Sequence, residues 1–152
     1  MPLPSVFDPT TTEKILDRLE KLSVDTRPQW GKMDAAKMLA HLNVAYDMAY
    51  GELKVNNSAF KKMLLKFFVK GPVTNEKPYP KNSRTAPEFI IKSDKNFEEE
   101  KAKFMLYVRK IQSDGAIAFE GRESPSFGAL SAKEWSNLFY KHLDHHFKQF
   151  GI

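Results

Sequence analysis

The sequence predicts an all-α protein: an antiparallel four-helix bundle with one short extra helix and one long crossover. Three observations support this prediction. Apolar residues recur three and four positions apart in four long segments, and residue types that favour helix ends flank each segment. The stretch 72–92 contains four prolines, which exclude regular helix there and predict the crossover. We expect a single domain over residues 1–152, because a chain of this length can bury one core but not two.

The first two helices are predicted from their caps. Thr10 to Glu13 fits a capping box, which predicts helix one over about residues 11–23. Asp34 is the expected N-cap of helix two, and Gly51 its end. One face of helix two carries Met38, His41, Ala45 and Met48, all three or four positions apart. His41 should therefore point inward.

A short basic helix is predicted after Ser58, with Gly71-Pro72 as its end. Its apolar residues are Phe60, Met63, Leu64, Phe67 and Phe68, and its lysines are Lys61, Lys62, Lys66 and Lys70. We expect the apolar face to dock on the core, as such faces usually do. A helix lying on a membrane surface is the alternative.

Two long helices are predicted in the second half of the chain. One begins at Ser93 or Asp94 and ends at Gly115, and the last runs from residue 132 to about 149 behind a capping box of Ser131 and Glu134. Between the crossover and the first of them, only "FII" at 89–91 resembles a strand, and it has no clear partner.

The last helix contains three of the four histidines. Its predicted solvent face is Glu134, Asn137, Lys141, Asp144 and Lys148, and its inward face is Trp135, Leu138, Phe139, His142, His146 and Gln149 or Phe150. His142 and His146 lie one turn apart, about 6 Å, which allows both imidazoles to reach one metal ion. His145 lies three positions from His142, so a pair of His142 and His145 remains open.

Three inward imidazoles, His41 included, favour a shared ion over three separate hydrogen-bonded core histidines. Each buried ring nitrogen without a partner costs about 1–3 kcal/mol. Three neutral histidines also leave a divalent ion with an open position, the pattern of catalytic sites. No protein base is evident, since Asp47 lies six residues from His41 and Asp144 should face solvent. Asn43, Tyr46 and Gln149 are candidates for orienting a substrate or a ligand ring.

Composition excludes several other classes of function. The chain has no cysteine, hence no disulfide and no thiolate ligand. Its net charge of +5 is spread among acidic residues, and it has no phosphate loop, RNA-binding signature or zinc finger, so we expect no nucleic-acid partner. No long apolar run or signal-peptide pattern is present, so we expect a soluble, cytoplasmic protein without a membrane partner.

Three stretches resemble the DinB/YfiT-like superfamily of metal-dependent four-helix-bundle enzymes. They are "WGKMDAAKMLAHL" (30–42), "SPSFGALSAKEW" (124–135) and "YKHLDHHFKQFGI" (140–152). The last is similar to a branch of unknown function whose members end in Lys-His-Leu-Asp-His-His, although Ser124 stands where the resemblance leads us to expect a histidine. The resemblance implies a divalent metal, commonly Zn or Ni, held by His41, His142 and His146, with His145 beside the site.

These observations lead to two hypotheses about function. The first is a metal-dependent enzyme, a hydrolase or a thiol-dependent transferase, acting on a small-molecule substrate such as a low-molecular-weight thiol. Thiol-dependent enzymes occur among the relatives that the resemblance implies. The second is a non-catalytic metal-binding module in which the ion braces two helices. The sequence also allows a homodimer.

Overall fold

The computed structural model describes residues 1–152 and is mostly helical, which confirms the predicted class. It contains six α-helices, a small sheet and one turn of 3₁₀ helix at Pro87–Phe89. The elements in chain order are α1 (Pro9–Leu19), α2 (Ala35–Tyr50), α3 (Ala59–Phe68), α4 (Lys70–Thr74), α5 (Phe97–Phe119), β1 (Arg122–Ser124), β2 (Gly128–Leu130) and α6 (Ala132–Gln149).

The helices that carry the histidines begin at the predicted residues. The Asp34 side chain accepts from the Lys37 amide at 2.8 Å and caps α2, which ends at Gly51 in the left-handed conformation with φ 77°. The capping box of Ser131 and Glu134 is present at the start of α6. These caps fix where each helix starts, and therefore which side chains share its inward face.

Two other helix starts were predicted wrongly. Asp8, not Thr10, caps α1, because its side chain accepts from the Thr10 amide at 2.9 Å and Pro9 occupies the first helical position. Asn96 caps α5 by accepting from the Glu99 amide, so α5 starts later than predicted. Gly115 interrupts α5 with φ 76°, but one more turn follows it, to Phe119.

The turn-rich connection before α6 forms a β-hairpin that was not predicted. β1 and β2 pair antiparallel, with Arg122 opposite Leu130 and Ser124 opposite Gly128. Strands of three residues are too short to show alternation in a sequence. The stretch 89–91, which resembled a strand but had no clear partner, forms none: Phe89 ends the 3₁₀ turn and the next two residues form no ladder.

One hydrophobic cluster lies between α1, α2, α5 and α6. Helix α2 packs on α5 and α6, while α5 also contacts α1 and α6. An aromatic group fills the centre, in which the Phe139 ring lies 4.9 Å from Tyr46 and 5.4 Å from Trp135, between ring centroids. These contacts hold α2 and α6 side by side.

The predicted solvent face of α6 is wrong at Asn137 and Lys141, which are buried under α4. Asn137 donates to the Thr74 carbonyl at 2.8 Å, and the Lys141 ammonium donates to the Pro72 carbonyl at 2.6 Å. Burial lowers the pKa of the Lys141 ammonium to about 8. Asn137 and Lys141 are buried because α4 covers them. The sequence predicted only the end of a helix near Gly71-Pro72, but the chain forms this second helix there.

The prediction that the apolar face of α3 docks on the core is also wrong. No residue of α3 is buried, and Phe67 and Phe68 are 77% and 74% exposed. Only Leu65 packs against the core cluster. None of the helices is both long enough and apolar enough to cross a bilayer.

Candidate metal centre

Three histidines from two helices meet inside the protein. His41 comes from α2, and His142 and His146 come from α6. One ring nitrogen from each lies within 4.8 Å of the other two, and the Nε2 atoms of His41 and His142 are 2.9 Å apart. We call these three residues the histidine triad. His41 and His146 are buried, while His142 is partly buried.

Two hydrogen bonds orient the rings of the triad. His41 Nδ1 lies 2.8 Å from the Phe89 carbonyl, and His146 Nδ1 lies 2.7 Å from Gln149 Oε1. Because a carbonyl oxygen only accepts, both Nδ1 atoms must carry the proton. The Nε2 atoms of both rings then present lone pairs, and that of His41 accepts from His142 Nε2 at 2.9 Å. This outer layer of acceptors is what metal-binding histidines usually have.

Gln149 is itself held in one orientation. Its amide nitrogen donates to the Trp30 carbonyl at 2.8 Å, which leaves Oε1 facing His146. Gly31 makes this approach possible, since its φ is +79° and a Cβ at this position would lie 2.6 Å from Gln149 Nε2. The loop before α2 therefore fixes the ring of a histidine on α6.

The donor set fits a divalent ion. Two imidazoles on one ion, with metal–nitrogen bonds of about 2.0–2.1 Å, have nitrogens about 2.8–3.4 Å apart for bond angles of about 90–109°. The separation of 2.9 Å between His41 and His142 lies within that range, and small ring movements would bring in His146 from within 4.8 Å. Zn and Ni both accept imidazole nitrogen. No carboxylate and no fourth histidine belongs to the cluster.

The electrostatics keep the triad neutral, which is the form that binds a metal. Burial lowers the pKa of His146 to about 3, with a further contribution from His41. Burial and the three neighbouring imidazoles hold the pKa of His142 well below its usual value. Burial also lowers the pKa of His41, partly offset by its bond to Phe89. No proton has to be displaced from these rings at neutral pH.

The other predicted site residues lie in different places. His145 is outside the cluster, but its ring centroid is 5.0 Å from that of His146 and less than 6 Å from those of Trp30 and Tyr79. Tyr46 lies in the aromatic core and makes no ring contact or hydrogen bond with the triad. Asn43 bonds to Glu100 on α5.

The two acidic residues considered as bases are paired away from the triad. Asp47 accepts from Lys103 at 2.9 Å and from the Tyr107 hydroxyl. Asp144 pairs with Arg18 at 2.8 Å and with Lys148 at 2.7 Å. Neither carboxylate is free to act as a base beside the histidines, as expected from their positions in the sequence.

A separate groove of about 350 Å³ lies between α2 and α5. Asp47, Tyr50, Lys103 and Tyr107 line it, and no histidine does. Of its two acidic residues, Asp47 is bonded to its neighbours, as described above, and Glu52 is exposed.

The comparisons with known proteins give one result, on the family. Residues 7–151 match the sequence profile of a family described as "Protein of unknown function (DUF1569)". The chain belongs to this family. No curated protein and no solved structure matches the chain.

Sequence reasoning missed three parts of the site in this DUF1569 chain. They are the Phe89 carbonyl, the Trp30 carbonyl and Gly31, of which the first two are backbone acceptors that carry no residue signal. Gly31 did carry a signal, because glycine is the residue that most readily adopts a positive φ, but its closeness to Gln149 depends on a tertiary contact. Gln149 was predicted as an orienting residue, and its bond to His146 is observed.

We expect the metal-free DUF1569 chain to lose stability as the pH falls from 7.5 to 5. A histidine whose pKa is lowered on folding is protonated in the unfolded chain first, so its stabilising effect is complete above pH 6.5 and declines towards its folded pKa. For His146 alone, the free energy of unfolding should fall by about 2 kcal/mol over this range. Urea unfolding at several pH values, with a chelator present, measures this change. A free energy of unfolding that stays constant over this pH range would show that the rings are in contact with water.

Proposed function

We propose that the protein is a metal-dependent enzyme of the hydrolase or thiol-dependent transferase type. The single observation that supports this proposal is the convergence of three neutral imidazoles with no fourth protein ligand, in which Phe89 and Gln149 turn the Nε2 atoms of His41 and His146 inward. A closed structural site would use four protein ligands. The proposed cofactor is Zn or Ni, and the proposed substrate is a small molecule such as a low-molecular-weight thiol.

A divalent ion at the triad would lower the pKa of a water or a thiol, or polarise a substrate carbonyl. The chain's own residues would position the reactants. The Phe89 ring centroid lies 5.5 Å from those of His41 and His142 and covers that side of the site with an apolar surface. His145, partly exposed beside Trp30 and Tyr79, is a polar side chain that a substrate could meet next to the triad.

We also propose that this family is a branch of the DinB/YfiT-like superfamily and that α1, α2, α5 and α6 form its antiparallel four-helix bundle in a single domain. The contacts of α2 and α1 with α5, and of α6 with α2 and α5, support the bundle. One shared hydrophobic cluster supports the single domain. The histidine triad supports the superfamily assignment, because the resemblance implies these three ligands.

The proposal is tested first by the metal content of purified, untagged protein. Elemental mass spectrometry should find close to one equivalent of Zn or Ni per chain, either as purified or after reconstitution. His142→Ala should contain none while keeping its helical circular dichroism. Hydrolysis and thiol transfer are then screened with the loaded protein against this variant. If the wild-type chain takes up no metal, the proposal is wrong.

A structural role for the ion is the second candidate, favoured by one observation: the ligands come from both α2 and α6, so an ion would cross-link these helices. Cobalt(II) substitution separates the two roles. If the site has an open position, added 2-mercaptoethanol will give a thiolate-to-cobalt absorption band. If the ion only braces the two helices, the melting temperature will rise on metal binding, and the cobalt absorption spectrum will not change when the thiol is added.

A further inference from the structure

Helix α3 presents an apolar surface to solvent. Phe60, Phe67 and Phe68 are each at least 66% exposed, and Met63 and Leu64 are exposed on the same side. At 100° per residue, these five positions cover about 140° of the helix. Leu65, near the opposite side, is the residue that packs on the core. An exposed apolar surface of this kind usually marks an interaction site.

Lysines border this apolar surface on both sides. Lys61 follows Phe68 around the helix, while Lys66 lies beyond Met63 on the other edge. Helix α3 contains no acidic residue, and the whole chain carries a net charge of +5. An apolar strip with basic edges is the pattern of helices that lie in the interface of a bilayer, with phenylalanines among the acyl chains and lysines at the headgroups.

We propose that α3 binds the surface of membranes that contain anionic lipids. The expectation of no membrane partner was based on the absence of a long apolar run, which bears on a spanning helix and not on a peripheral one. The alternative to docking was a helix on a membrane surface, and the structure shows α3 undocked. Binding would be peripheral, with α3 parallel to the surface. The proposal is independent of the histidine triad.

Charge favours a membrane over a second copy of the chain. In a symmetric dimer through α3, the lysines at the edges of one helix would face those of the other, and like charges across an interface oppose association. An anionic bilayer supplies negative charge along both edges at once. The apolar face is also a convex ridge, which a deformable acyl layer can accept without a preformed groove.

Sedimentation with lipid vesicles tests the proposal on the full chain. At about 50 mM salt, where charges are weakly screened, binding to phosphatidylcholine vesicles with about 30% phosphatidylserine should exceed binding to pure phosphatidylcholine by about tenfold or more. Phe67→Ser with Phe68→Ser should reduce binding by about tenfold or more, and so should Lys61→Glu with Lys66→Glu.

Matched controls use exposed residues elsewhere. Leu106→Ser with Ile117→Ser removes two side chains that are 71% and 94% exposed, and Lys21→Glu with Lys54→Glu makes the same charge change outside α3. The serine control should bind like the wild type, and the charge control should lose less than the α3 reversal. Melting temperatures should be equal within each matched pair, which separates lost binding from unfolding.

Three outcomes overturn the proposal. The first is no binding to anionic vesicles, and the second is binding that both α3 variants retain. The third is a dimer, detected by light scattering, that Phe67→Ser with Phe68→Ser converts to a monomer, which assigns the face to a second copy. Binding that requires anionic lipid and is lost in both α3 variants supports the membrane proposal.

Discussion

His41→Ala is expected to lower the affinity of the protein for Zn²⁺ or Ni²⁺ by more than about 100-fold. Changing a residue that is only hydrogen-bonded to a metal ligand usually lowers affinity by about 10–100-fold. His41 is the only member of the triad on α2, and its Nε2 atom is 2.9 Å from that of His142. Without it, two ligands remain on one helix. Competition against a chromophoric chelator measures the change, and circular dichroism confirms that the helices persist.

Two further variants make this test graded. Gln149→Ala leaves the ligands in place but frees the His146 ring, so affinity should fall by about 10–100-fold. His145→Ala should retain most of the affinity, because His145 lies outside the cluster. Equal losses at His41, His145 and His146 would contradict the assigned triad and point to a general loss of structure.

Phe139→Ala is expected to lower the free energy of unfolding by about 3–5 kcal/mol. Its ring is 1% exposed and lies within 6 Å of the rings of Tyr46, Phe119 and Trp135, between centroids. Removing it leaves a cavity at the place where α2 and α6 are held together. Urea or guanidinium unfolding measures the change.

Leu106→Ala serves as the control for that experiment, since Leu106 is also on a long helix but is 71% exposed. It should change the free energy of unfolding by no more than about 0.5 kcal/mol. A loss below about 1.5 kcal/mol for Phe139→Ala would mean that the aromatic core is less tightly packed than the structure shows.

The part of the site that the sequence predicted depends on local rules. Asp34 and Ser131 set the starts of α2 and α6, and helical periodicity then places His41, His142 and His146 on inward faces. Each step needs only residues within a few turns of each other. The proximity of His41 to the other two was a hypothesis, and the structure brings the three rings together.

What the sequence did not predict depends on which elements touch. Nothing near Lys141 in the chain indicates that α4 covers it, so a lysine on a polar face was assigned to solvent. The apolar stripe of α3 is identical whether the helix docks or projects, because periodicity identifies a face but not its partner. The Phe89 carbonyl reaches His41 across 48 positions, and no local pattern in the sequence indicates that contact.

The distance along the chain between His41 and His142, 101 positions, also has a consequence for how the protein is made. At about 5–20 residues per second, a ribosome adds the second histidine roughly 5–20 s after the first. Until then α2 carries a single imidazole, which holds a divalent ion only weakly. All three ligands could therefore hold an ion only after α6 has been made, and the ion that the triad would take would depend on the metals present around the protein once it has folded.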